Sequence, residues 1–114
     1  MHLPRRARFS DVISRQLVMF EDEQQILLRR VSEAKREYEH AGRDSAEEKY
    51  GDYMDLVEEA EDELLALRDR YAETMAARDR TTYEREFTRA AERRLPTLAA
   101  RRDYLRRIDP EFDA

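Results

Sequence analysis

The sequence has no cysteine and no tryptophan, only two glycines and three prolines among its 114 residues, and no apolar run longer than four residues, as at Leu17–Phe20. Without cysteine there is no disulfide framework, no thiolate metal site and no cysteine nucleophile. A helical bilayer span needs about 20 consecutive apolar residues, so none is expected. With so little glycine and proline, turn material is scarce and long uninterrupted elements are expected. Met1–Arg8 is basic, but Asp11, Arg15 and Glu21 follow where a leader would carry an apolar stretch. No secretory signal is therefore expected, and a cytoplasmic location follows by default.

What is present in abundance is charge. Charged residues make up 43% of the chain and hydrophobic ones 40%. Such a balance suits either disorder or long helices, and the spacing of the apolar residues decides for helices. From Ile13 onward the series Ile13, Leu17, Phe20, Gln24, Leu27, Val31, Ala34, Tyr38, Ala41 alternates steps of four and three. This is a heptad seam with one polar member, Gln24, which reads as a determinant of register or oligomeric state. Ser10 or Asp11 is suited to cap its start. Ala41-Gly42-Arg43-Asp44 reads as its stop, with Gly42 in the left-handed conformation.

Ser45 and Glu48 then fit a capping box at the start of a second helix. Its seam runs Tyr53, Val57, Ala60, Leu64, Leu67, Tyr71, Thr74, with Tyr38, Tyr53 and Tyr71 as core residues. The pattern loosens after Met75 and recovers as Tyr83, Phe87, Ala90 or Ala91, and Leu95. Pro96 must end or kink the helix there. The expected organisation is a basic arm over 1–8, a helical hairpin over 9–95 (helix 1 about 10–41, helix 2 about 46–95), a short helix over 96–108 and an acidic tail over 109–114.

The expected fold class is all-α: a long antiparallel, coiled-coil-like helical hairpin plus a short C-terminal helix. A short connection forces neighbouring helices antiparallel. Helix 1 would be roughly 48 Å long at 1.5 Å per residue, and the longer helix 2 would overshoot its start. Helix 1 also carries more apolar surface than one seam consumes, since Val12, Met19 and Ile26 recur every seven residues with Val18 and Leu28 beside them. That strip needs a partner. The partner is either the C-terminal segment folding back through Phe87, Leu95, Leu98, Leu105 and Ile108, or a second copy of the chain. The second copy is the preferred reading, giving a homodimeric four-helix bundle with Val12, Met19, Ile26 and Leu28 at its interface.

The net charge of −5 conceals segregation. Residues 1–8 sum to +3, residues 89–107 to +5, the tail 108–114 to −3 and the remainder, 9–88, to −10. Residues 44–63 hold ten acids against Lys49 alone. An antiparallel hairpin with an overhang would place Asp44, Glu47, Glu48, Asp52, Asp55, Glu58 and Glu59 at one acidic pole. Arg5, Arg6, Arg8, Arg101, Arg102, Arg106 and Arg107 would form a basic pole at the other. Acids at a helix start complement its dipole, but only over the first turn, and this block extends over about five. A solvated face or a docking surface accounts for the rest.

Three chemical readings compete with a protein-contact role. Glu37 and His40 have the Glu-x-x-His spacing of carboxylate metal sites in four-helix proteins, and Glu48 across the turn is a third candidate ligand. Against this, His40 points away from the seam, whereas such sites lie inside the bundle. The arginines of the basic pole suit phosphates, but they spread around their helix and the acidic shaft would repel a duplex. For catalysis there is no nucleophile with a histidine base, no glycine-rich phosphate loop and no carboxylate pair distinct from the glutamate background. The expected function is therefore a non-enzymatic helical scaffold, adaptor or small regulator with a protein partner and no cofactor. The alternatives are a ferritin-like metal-binding protein assembled at an oligomer interface, and a nucleic-acid-associated protein.

Overall fold

The computed structural model describes residues 8–99 together with Arg107, Asp109 and Glu111. Among these residues every regular element is helical: α1 (Ser10–Glu23), α2 (Gln25–Glu39), α3 (Ala46–Glu73) and α4 (Ala77–Arg94). The chain is all-α, as its periodicity implies.

α1 and α2 form one rod bent at Gln24, whose φ of −108° and ψ of 26° leave the helical range. The rod keeps its hydrogen bonds through the bend, because the Gln24 N–H donates to Phe20 at 2.9 Å and its carbonyl accepts from Leu28 at 2.9 Å. Neither proline nor glycine imposes the bend. It follows the packing, since α1 lies against α4 and α2 against α3. Buried Ile13, Leu17, Phe20, Leu27, Val31 and Ala34 carry the expected seam across it. Gln24 itself is half-buried.

The 40–45 connection joins α2 to α3, and the two helices pack against each other. Its chemistry differs from the expectation. No glycine has positive φ, so Gly42 turns without the left-handed conformation. No side-chain cap forms at Ser45, whose Oγ instead lies 3.5 Å from the Gly42 carbonyl. Nor does Ser10 or Asp11 cap α1: Phe9 holds the N-cap position, and its backbone N–H is satisfied from a distance by the Glu86 carboxylate of α4 at 2.8 Å.

The largest departure lies in the stretch expected as one helix over about 46–95. It breaks at Thr74–Ala76. The Thr74 hydroxyl donates to the Tyr71 carbonyl at 2.7 Å, and the Thr74 and Met75 N–H groups bond three residues back, tightening the last turn. Ala76 is extended, with φ −60° and ψ 144°, and α4 starts beyond it. Arg80 Nε–H donates to the Met75 carbonyl at 3.2 Å and pins the reversal. Instead of overshooting, the chain folds back. α4 then runs beside α1, with Asp79 next to Arg8 at one end and Arg94 next to Glu21 at the other.

This return explains why the seam of α3 shifts. Beyond Leu64 the buried residue is Ala72, while Tyr71 stays exposed, because α3 now also packs against α4. Tyr83, Phe87 and Ala91 form the buried stripe of α4 at intervals of four, and Tyr83 and Phe87 are wholly enclosed. Leu95 leaves the helix immediately before Pro96, as proline demands of its predecessor. Residues 96–99 are helical again. Of the rest of the expected 96–108 helix only Arg107 is described, and it is helical; residues 1–7 of the expected 1–8 arm fall outside the described residues.

Candidate interaction surfaces

Fold-back of the C-terminal segment and a second copy were alternatives for covering helix 1. α4 does cover it, but on one side only. Phe87 and Leu98 join the core with Ile13, Leu17 and Phe20, and half-buried Leu95 packs against it. Leu105 and Ile108 lie outside the described residues. The opposite face remains bare, with Val18 45%, Met19 48% and Ile26 75% exposed. Of the four expected interface residues, Val12 and Leu28 are half-buried against the core. Met19 and Ile26 stand in solvent, joined by Val18.

Charged residues border this strip at seven-residue intervals, with Arg15, Asp22 and Arg29 all exposed and alternating in sign. Such a layout, apolar in the middle and charged at the rim, has the composition of a protein contact surface.

A second surface lies at the α2–α3 end. The Tyr38 ring centroid is 5.2 Å from that of Tyr50 and 6.2 Å from that of Tyr53, the latter pair nearly parallel at 21°. Only Tyr53 is buried; Tyr38 and Tyr50 are 36% and 38% exposed. The expectation of Tyr38 and Tyr71 as core residues is thus corrected, and Tyr50 is an addition. Tyr38 loses cover because α4 does not reach this end. Burial pushes the Tyr53 hydroxyl above its ordinary pKa, and the Glu39 carboxylate and the Tyr50 hydroxyl add to the effect. Asp44, Glu47, Glu48, Asp52, Asp55, Glu58 and Glu59 of the acidic block are all exposed.

The candidate metal ligands do not converge. Glu37 pairs with Lys49 at 3.7 Å. His40 Nδ1 lies 2.8 Å from the Arg36 carbonyl, so Nδ1 carries the proton of this bond, since a carbonyl only accepts. Among the described residues no three His, Asp or Glu side chains come together as a metal site. No helix among them is long and apolar enough to cross a membrane.

Of the expected basic pole only Arg8 and Arg107 are among the described residues. Without an overhang, α4 carries Arg93 and Arg94 away from Arg8 and toward the level of Glu21. Arg8 is engaged with Asp79 at 2.9 Å, and Arg107 is exposed. Arg5, Arg6, Arg101, Arg102 and Arg106 fall outside the described residues.

The cavities beside α4 are small. One, about 30 Å³, is walled by Leu64, Phe87, Ala91 and Leu98 with Glu61 and Glu92 at its edge. A groove of about 190 Å³ lies between Val31 and Leu95. Both fall short of the roughly 300–1,000 Å³ of pockets that take drug-sized ligands. No protein-family model, curated protein or solved structure matches the chain.

Proposed function

We propose that this protein is a non-enzymatic helical scaffold, adaptor or small regulator that works through protein–protein contacts, and that it pairs with a second copy along the outer face of α1 and α2. The observation that carries this reading is the exposed line Val18, Met19 and Ile26, left bare although α4 seals the other side of the same rod. Three apolar side chains supply the centre of such a contact, and Arg15, Asp22, Gln25 and Arg29 its rim. A second copy displaced by seven residues brings Asp22 opposite an arginine, so the alternation of charge favours self-pairing. Pairing of two such rods completes a bundle between copies. The absence of a long apolar helix among the described residues accords with a cytoplasmic setting.

Light scattering on a sizing column tests the pairing. The wild-type chain should run as a dimer, and Ile26→Arg should run as a monomer with its helical circular dichroism intact, because Ile26 contributes nothing to the core. A monomeric wild type at high concentration would contradict the pairing.

A further inference from the structure

The α2–α3 end combines features that packing alone does not require. Of the three tyrosines there, only Tyr53 is buried. Tyr38 and Tyr50 meet at 5.2 Å, yet each leaves more than a third of its surface in water. Exposed aromatic rings held by a rigid pair of helices lose little entropy when a partner covers them, which is why tyrosine anchors so many protein contacts.

The surroundings select the partner. Residues 37–52 carry six acids (Glu37, Glu39, Asp44, Glu47, Glu48 and Asp52) against Arg43 and Lys49. Lys49 is engaged with Glu37. The acids are all exposed, so their charge faces solvent, and the Glu39 carboxylate is close enough to Tyr53 to raise its pKa. A nucleic acid or an anionic lipid surface would be repelled from this end.

We infer that the tyrosine-bearing acidic end of α2 and α3 docks an arginine-rich segment of a partner protein. A guanidinium stacks flat on the exposed face of Tyr38 or Tyr50, attracted by the ring quadrupole, while its N–H groups meet the neighbouring carboxylates. Arginine suits the site better than lysine because its planar group stacks and hydrogen-bonds at the same time. This inference rests on the reading of the chain as an interaction protein, but not on its self-association.

The test is titration of the full chain with a labelled synthetic peptide of repeated Arg-Gly-Ser, followed by fluorescence anisotropy at several salt concentrations. Saturable binding that weakens with salt is expected, and the matching Lys-Gly-Ser peptide should bind less tightly. Replacing both rings, as Tyr38→Leu with Tyr50→Leu, keeps apolar bulk but removes the π faces and should weaken binding about tenfold. Tyr50→Phe keeps the face and should bind like the wild type, which separates loss of the ring from loss of the fold. Glu39→Gln with Glu47→Gln should lower affinity and flatten the salt dependence. Absence of saturable binding would overturn the inference. So would affinity that ignores the leucine pair and falls equally for Glu59→Gln with Glu63→Gln, since that would be a diffuse acidic field. Native mass measured on the same samples separates the two readings: a monomer that binds the peptide removes self-association alone, and a dimer that does not bind removes only the docking site.

Discussion

Aromatic rings gather at both ends of the molecule, under opposite conditions. At the α1–α4 end Tyr83 sits between Phe9, edge-on at 5.7 Å, and Phe87 at 5.9 Å, with Tyr83 and Phe87 sealed from solvent. At the α2–α3 end Tyr38 sits between Tyr50 and Tyr53 at similar spacing, but two of the three rings are exposed. The difference is the third wall. α4 returns along α1 and closes one end, while among the described residues the other end has only two helices, which do not enclose rings of that size. The same residue class is core in one place and surface in the other, and the number of neighbouring helices decides which.

Truncating a ring at each end sharpens this contrast most strongly. Phe87→Ala should destabilise the fold by about 3–5 kcal/mol, the range for an enclosed phenylalanine. Tyr50→Ala should cost about 1 kcal/mol or less, as for an exposed position. Urea unfolding of the two variants measures both, and equal losses would break the comparison.

The closed end also holds a polar pair. Tyr83 O–H donates to Gln16 Oε1 at 2.7 Å, and Gln16 is itself buried with its Nε2 lacking a partner among the described residues. Gln16→Leu alone leaves the tyrosine hydroxyl stranded, and Tyr83→Phe alone strands the amide, so each should cost about 1–3 kcal/mol. The double variant removes both polar groups and should lie close to the wild type. A double-mutant cycle by urea unfolding reads the coupling, and additive losses would show that the pair does not act as one.

Alkaline pH probes the same end without mutation. Burial pushes the Tyr83 hydroxyl up to about 12. The folded state therefore holds this proton more tightly than the unfolded chain, whose tyrosine titrates near 10. Stability is fully present below pH 10 and falls as the pH rises toward 12, by up to about 1.4 kcal/mol per pH unit for one proton. Tyr53 adds a loss in the same direction. Denaturant unfolding from pH 9 to 12 should show a shallower decline for Tyr83→Phe than for the wild type.

The smallest effect belongs to the open end. Gly51 lies within α3, and a Cβ placed there meets no atom within 4 Å. Gly51→Ala should raise stability by about 0.5–1 kcal/mol through helix propensity alone. A loss measured by thermal unfolding would mean that Gly51 has closer neighbours than 4 Å.

How much of this was legible depended on whether the feature was local. The seams Ile13–Ala34 and Tyr53–Leu64 follow from helical periodicity, and all their residues but half-buried Gln24 are buried. Met19 and Ile26 were legible as a second line for the same reason. The reversal at Thr74–Ala76 was not, because neither glycine nor proline marks it and Met75, Ala76 and Ala77 are good helix formers. Its one trace was the lapse of the heptad after Met75. From that single break follow the exposure of Tyr71, the burial of Ala72 and the missing overhang. The tyrosine group stayed hidden because Tyr38 and Tyr50 lie on different helices and meet only once the register across the connection is known. Phe9, capped by Glu86, was hidden likewise: its partner is 77 residues away.

Pairing of two copies along the bare face of α1 and α2 is directly measurable because the chain lacks cysteine. A single introduced cysteine carries the only spin label, so dipolar coupling between labels reports contact between copies. With Gln25→Cys, beside Ile26, a short inter-label distance is expected, and with Glu63→Cys on α3 a longer one. A label at Gln25 with no dipolar coupling at concentrations where light scattering finds a dimer would place the contact elsewhere and contradict the claim.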